Sequence, residues 1–156
     1  MNKYLKLLIA VGVCELTGLL STPFTIASIP TWYKGLNKPF FSPPNYVFGP
    51  VWTLLYFLMG VSLFLIWEKG FKNKHAKEGR TYFIIQLILN FFWSAIFFWL
   101  HAPFAALIEI IFMWGAILFT ILKFYKVSKP AAYLLIPYLA WVSFATLLNA
   151  SIVLLN

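Results

Sequence analysis

The sequence predicts an all-α integral membrane protein: a five-transmembrane-helix bundle with a long lid-like loop between helices 1 and 2. Three observations carry this. First, 62% of the 156 residues are hydrophobic and only 10% are charged, whereas about a quarter of a soluble domain is charged. Second, the apolar residues form five runs of roughly 20 residues or more, the length a helix needs to cross about 30 Å of hydrocarbon. Third, the basic residues cluster between those runs, the pattern of charges that set topology. Helix is required within the runs because lipid offers backbone groups no hydrogen-bond partners.

The first span is read as Tyr4–Ala27. Lys3 and Lys6 before an apolar stretch resemble a signal peptide, but Glu15 interrupts the stretch and no small-residue cleavage site follows. Val13 before Cys14 also departs from a lipoprotein signal, so the segment reads as a retained helix. Ser28-Ile29-Pro30 ends it. The second span is Asn45–Trp67, and Lys69–Lys77 reads as a solvated loop. The third is Arg80–Leu100, closed by a tight His101-Ala102-Pro103 turn. Pro103 and Pro130, each suited to a first helical turn, open the fourth span, Pro103–Phe124, and the fifth, Pro130–Leu154. No strand pattern or internal repeat is seen, and the length accommodates one domain over residues 1–156.

With five spans, the N-terminus shares a side with the second-to-third and fourth-to-fifth connections. That side holds Lys3, Lys6, Lys69, Lys72, Lys74, Lys77, Arg80, Lys123, Lys126 and Lys129. The other side holds only Lys34 and Lys38, which places the N-terminus in the cytoplasm and the C-terminus outside. The connection Ser28–Pro44 contains Pro30, Trp32, Tyr33, Pro39 and Phe40. Prolines restrict a chain and aromatics seek a surface to cover. It therefore reads as a lid over the external end of the bundle, with an interfacial aromatic belt as the alternative.

Several chemistries are disfavoured. The net charge of +8 is not gathered on one surface, so no nucleic-acid partner is expected. There is no glycine-rich phosphate loop. His75 and His101 fall at opposite membrane faces, so no metal site or cofactor is expected. Cys14 reads as a small packing residue, and no serine or cysteine has an evident catalytic base.

The residues that could carry function lie on helical stripes. Gln86, Asn90, Trp93 and Phe97 share one face of the third span. Trp52, Tyr56 and Gly60 recur at spacing four on the second span, and Pro137, Trp141, Ala145 and Asn149 on the fifth. Aromatic stripes with a few polar tips describe an apolar pocket with orienting groups. Core packing and interhelical hydrogen bonding are the alternatives. Glu15 shares a face with Gly18, Leu19 and Thr22, and Glu109 with Ala106 and Met113. Each is either a proton or cation site or a packing residue bonded to a neighbouring helix. Lys34 and Lys38, near the lid, either attract acidic ligand groups or are solvated loop charges.

Trp32–Gly60 reads WYKGLNKPFFSPPNYVFGPVWTLLYFLMG. Pro137–Asn149 reads PYLAWVSFATLLN, Gln86–Trp93 reads QLILNFFW, and Ala106–Glu109 reads ALIE. These stretches resemble the TspO/translocator protein family, also called the peripheral benzodiazepine receptor family, in a bacterial-type member. The resemblance covers nearly the whole chain. It implies a five-helix bundle in a bacterial cell membrane, a homodimer, and a ligand cavity open towards the first loop. Family members bind porphyrins such as protoporphyrin IX, and isoquinoline carboxamide or benzodiazepine-type drugs. The resemblance matches Trp52, Asn90, Trp141 and Ala145 to residues around the ligand site, with Tyr33, Pro43 and Tyr56 as neighbours. Trp93 joins them from its stripe. Animal members bind cholesterol through a motif with a tyrosine and a basic residue near the C-terminus. Ala150 and Leu154 occupy those positions here, which argues against that use.

Three functions remain open on the sequence. The first is a receptor or carrier for tetrapyrroles. The second is light-dependent oxidative degradation of protoporphyrin IX, with Trp52 and Trp141 as catalytic participants. The third is an ion-coupled transporter using Glu15 or Glu109. The charge asymmetry makes one outcome direct: a reporter fused to the C-terminus reads as external, and a reporter active in the cytoplasm would reverse the orientation.

Overall fold

The computed structural model describes residues 1–156. It contains five helical segments long and apolar enough to cross a membrane, and no strands. Helix α1 is Lys3–Ser28, α2 is Phe48–Lys69, α3 is Lys74–Ser94 and α4 is Pro103–Tyr125. The last span is built from α5, Lys129–Leu134, and α6, Ile136–Leu155. The break falls before Pro137, which has no N–H for the carbonyl one turn back. The five expected spans are therefore all present.

The third span differs most from expectation. It starts at Lys74, not Arg80, and the connection from α2 is only 70–73. The side chain of Asn73 caps the helix by accepting from the His75 N–H at 2.7 Å, which satisfies one of the free donors of the first turn. Lys74, Lys77 and Arg80 thus extend the helix beyond the apolar stretch. At its far end the helix widens into a π-helical turn, Ala95–Trp99, in which the Leu100 N–H donates to the Ala95 carbonyl at 2.9 Å. His101 then takes a left-handed backbone, φ 53°, and the chain turns directly into Pro103 at the start of α4.

Around the bundle, α1 packs on α2 and α3, α4 packs on α3 and α6, and α2 meets α5. Small residues set the closest approaches. A Cβ on Gly60 would lie 2.4 Å from the Val11 Cα, and one on Gly18 would lie 2.5 Å from the Tyr56 ring. Polar side chains bridge the helices. Ser62 donates to the Ala131 carbonyl at 2.7 Å, and the Trp114 indole N–H to the Ser143 hydroxyl at 2.8 Å. The Asn149 amide donates to the Pro103 carbonyl at 2.9 Å.

The long connection folds over one end of the bundle. Tyr33 is buried. Trp32 stacks on His101, with centroids 4.5 Å apart, and meets Phe97 edge-on. The Ser28 hydroxyl donates to the Phe98 carbonyl. Asn37 and the Asn156 side chain exchange hydrogen bonds at 3.0 and 2.9 Å. Two expected anchors are corrected: Pro30 is exposed and Phe40 is fully exposed. Phe41 supplies the apolar contact in Phe40's place, against Phe144. Phe40 and Phe41 are the central residues of a turn closed by the Ser42 N–H on the Pro39 carbonyl at 3.1 Å, which leaves Phe40 at the exposed tip.

The Gly60 contact is with backbone, which cannot swing aside. Gly60→Ala is expected to lower stability by about 1–3 kcal/mol through forced separation of α1 and α2, read as a fall in the melting temperature of the detergent-solubilised protein.

Candidate functional site

A cavity of about 760 Å³ lies between α1, α2, α3 and α6 beneath the long connection, with α4 contributing nothing to its wall. The sequence-singled residues Tyr33, Trp52, Tyr56, Asn90, Trp93, Trp141 and Ala145 all line it. Asn149 and Phe97 from the same stripes line it too. Pro43 lies outside the lining, and so does Gln86, which is engaged deeper in the bundle.

Local geometry explains the gathering. On α2, Trp52 and Tyr56 stand one turn apart with ring centroids at 5.7 Å. On α6, Trp141, Ala145 and Asn149 follow the same one-turn spacing, and Ala145 leaves open volume where a larger side chain would fill the space. The Trp52 and Trp141 rings meet edge-to-face, with centroids 6.5 Å apart and planes at 89°, a geometry aromatic quadrupoles favour. Trp93 stacks on Phe97 at 5.0 Å. The π-helical turn brings adjacent residues Phe97 and Phe98 both to the wall. An α-helix would separate neighbours by about 100°, and π turns recur where a helix serves a site.

The floor of the cavity is a chain of hydrogen bonds. The Tyr56 hydroxyl donates to Asn90 Oδ1 at 2.5 Å, and Asn90 Nδ2 donates to the Tyr138 hydroxyl at 2.8 Å. The Tyr138 hydroxyl donates to Gln86 Oε1 at 2.6 Å. Gln86 Nε2 reaches Met59 Sδ at 3.9 Å. This joins α2, α3 and α6 through four buried polar side chains. Both readings of the third-span stripe thus hold for Asn90, which lines the cavity and bonds across helices, whereas Gln86 only bonds across. Nearer the lid, the Trp93 indole N–H donates to Asn149 Oδ1 at 3.1 Å.

One indole is different. Trp141 lines the cavity, and its Nε1 is buried with no hydrogen-bond partner. A buried donor without an acceptor is costly, and because this atom is inaccessible even to water, Trp141 presents its ring and not its N–H to the cavity. At the lid, burial raises the Tyr33 phenol above its ordinary range, keeping it a neutral group.

The first helix supplies a wall that the sequence reading missed. Gly12, Glu15, Leu16, Leu19, Thr22 and Ile26 line the cavity from α1, facing Gly49 and Thr53 of α2. All but Glu15 are exposed, so the cavity opens sideways between the outer halves of α1 and α2. The signal was present in the small residues Gly12 and Gly18, but nothing on α1 is aromatic enough to mark a stripe. The two membrane acids separate here. Glu15 lines the cavity. Glu109 does not, and both of its carboxyl oxygens are buried without a partner, so the expected bond from Glu109 to a neighbouring helix is not made. The lid lysines do not line the cavity either. Lys38 is turned inward, donating to the Tyr33 carbonyl at 2.9 Å and the Leu36 carbonyl at 3.2 Å, with its ammonium 4.6 Å from the Tyr33 ring centroid. A cation held this way is not free to seek acidic ligand groups.

Fold and site together define a class: a five-span membrane protein with a side-opening aromatic cavity under an ordered lid. Comparison with known proteins makes it specific. The sequence model of the TspO/MBR family matches residues 10–155, and the chain belongs to that family. It is 47% identical over 152 residues to the tryptophan-rich protein TspO of Archaeoglobus fulgidus, covering 97% of each chain. It is 43% identical over 157 residues to the protein of that name from Chlorobaculum tepidum, covering 100% of this chain and 99% of the other. The human translocator protein is 43% identical over 120 residues, 76% of this chain and 70% of the human one.

The floor yields a contrast between two tyrosines. Tyr138→Phe strips a partner from each of the buried amides of Asn90 and Gln86, the second of which lies outside the cavity lining, and should cost about 1–3 kcal/mol. Tyr56→Phe leaves Asn90 Oδ1 beside the cavity, where water can replace the lost donor, and should cost less. Paired melting curves in one detergent measure the difference.

Proposed function

We propose that this protein is a membrane receptor or carrier that holds a flat, largely apolar aromatic ligand, a tetrapyrrole such as protoporphyrin IX or an isoquinoline carboxamide or benzodiazepine-type drug, in the cavity between its helices. One observation carries the reading: aromatic side chains from three helices face a space of about 760 Å³ that no charged side chain but Glu15 lines. Pockets for such ligands are mostly apolar with a few orienting polar groups, and ring faces gain from stacking on a flat ligand. Trp52, Tyr56, Trp93 and Trp141 would supply the faces. Asn90 would supply the polar floor, and Tyr33 and Ala145 the shape of the outer end. Pro43 would act only by stiffening the lid. Names among the relatives, translocator protein and tryptophan-rich sensory protein, are in keeping with transport or sensing. A homodimer and a cytoplasmic N-terminus complete the proposal, the latter supported by the ten basic residues on one side of the bundle.

A second reading is favoured by one feature, the contact of Trp52 with Trp141, Tyr56 and Tyr138. Rings in such contact around a photosensitising ligand could take part in its oxidative breakdown, with Trp52 and Trp141 as the reacting side chains. Titration of the purified protein with protoporphyrin IX, first dark and then illuminated, separates the readings. Saturable binding with the porphyrin unchanged in light is expected for a receptor or carrier, and Trp141→Ala should weaken it about tenfold, as expected for loss of an aromatic stacking face worth about 1.4 kcal/mol. A defined product that disappears in Trp52→Phe or Trp141→Phe variants still able to bind would establish the enzyme, and absence of saturable binding would remove the porphyrin assignment.

A further inference from the structure

The cavity is electrostatically one-sided. Among its lining residues Glu15 is the only acid, and there is no lysine, arginine or histidine. Twelve residues from the start of α1, Glu15 is roughly 18 Å along the helix, near mid-membrane. There an ionisable side chain needs a partner or an aqueous space. Its carboxylate has neither an ion pair nor a hydrogen bond within the protein. The salt bridges of the chain engage Glu68 and Glu78 instead, at the far end of the bundle. Glu15 stands in the inner part of the α1 wall, with only Gly12 deeper, one turn from Gly18, whose missing side chain lets the Tyr56 ring close up. Trp52 and Trp141 line the same cavity.

An unpaired carboxylate in the inner part of an aromatic-walled cavity is suited to an organic cation. The carboxylate neutralises the charge, and the faces of tryptophan and tyrosine attract it through their quadrupoles. A carboxylate-bearing ligand meets the opposite field and can enter only with its acidic groups kept at the mouth.

We propose that Glu15 is the counter-ion for a lipophilic organic cation, an aryl or alkyl ammonium, bound in this cavity. The inference rests on the reading of the cavity as a ligand site and adds the charge class of the ligand. It also gives Glu15 a role in specificity: the residue favours a cationic head at its own end of the cavity and orients amphiphilic ligands, acidic tetrapyrroles included, with their carboxylates outward.

The test uses three naphthyl probes of one shape in calorimetric titrations of the purified protein in non-ionic detergent. They carry a trimethylammonium head, the isosteric neutral tert-butyl head, and a carboxylate head. In the wild type the ammonium probe should bind about tenfold or more tighter than the neutral one, the range expected for a desolvated cation on aromatic faces beside a carboxylate. The carboxylate probe should bind weakest. In Glu15→Gln the ammonium preference should fall to near parity while the neutral probe is unaffected and the carboxylate probe gains. Equal wild-type affinities for the ammonium and neutral probes, or a preference that survives Glu15→Gln, would overturn the proposal while leaving the cavity as a site for neutral ligands. If no probe binds saturably, the ligand-site reading itself fails, and this inference with it. The wild-type comparison decides alone if the variant does not fold.

Discussion

The arrangement depends on the hydrogen-bonded chain from Tyr56 through Asn90 and Tyr138 to Gln86. Within a bilayer, apolar faces gain little from meeting each other, because lipid tails are as apolar as leucine. Helix position must then come from close packing and from polar groups with no alternative partner. Two tyrosine hydroxyls and two amides, all buried, provide that for α2, α3 and α6 at once. Each member has a place only if the others are in register. The chain forms a floor, and the bundle is dense below it, with Met59, Phe83, Met113, Phe124 and Tyr138 essentially inaccessible. Above it the helices spread around empty volume.

That spread follows from where small and large residues stand on α1 and α2. Gly60 lets the backbones approach near Val11, and Gly18 admits the Tyr56 ring. Beyond that ring, α1 presents Leu19, Thr22 and Ile26 to the gap while α2 presents Thr53 and Gly49, and nothing bridges them. The outer end is closed instead by the connection itself, held by the Trp32 stack on His101, the bond from Ser28 to Phe98 and the clasp between Asn37 and Asn156. The cavity therefore has a firm floor, an ordered roof and a soft side. In a membrane that side faces lipid.

Much of this was legible in the sequence because membrane helices declare themselves by length and composition. The five spans and the aromatic stripes on α2, α3 and α6 needed only a period of one turn to be read. Features set by the backbone were not legible. The start of the third span was misread because its first turns carry Lys74, Lys77 and Arg80, and hydropathy discounts charged turns that protrude from the bilayer. The cap Asn73 was the signal that hydropathy passes over. Tyr138 was missed because it lies off the stripe of Trp141 and Ala145 and earns its place through partners on other helices. Phe98 was missed because it lies off the stripe of Asn90, Trp93 and Phe97, on a segment whose π-helical winding departs from the spacing used to read that stripe. The α1 wall was missed because a cavity lined by glycine, threonine and leucine has no composition of its own.

The unsatisfied polar groups separate what a ligand can change from what it cannot. Trp141 Nε1 and the Glu109 oxygens are all buried without partners, and each such group carries a desolvation cost. Glu109 stands on α4, which has no share in the cavity, so a ligand there cannot relieve it. The Trp141 N–H is sealed from the cavity in the same way, although its ring lines it, whereas the unpaired Glu15 lines the cavity and can be met there by an incoming group. Any molecule that engages Glu15 and the ring faces in the folded bundle and not in the unfolded chain must also raise stability in proportion to its occupancy. A substitution that gave Trp141 Nε1 an internal acceptor would therefore stabilise the bundle and leave the cavity unchanged, because the unmet donor and the ring face that lines the cavity are separate parts of one side chain.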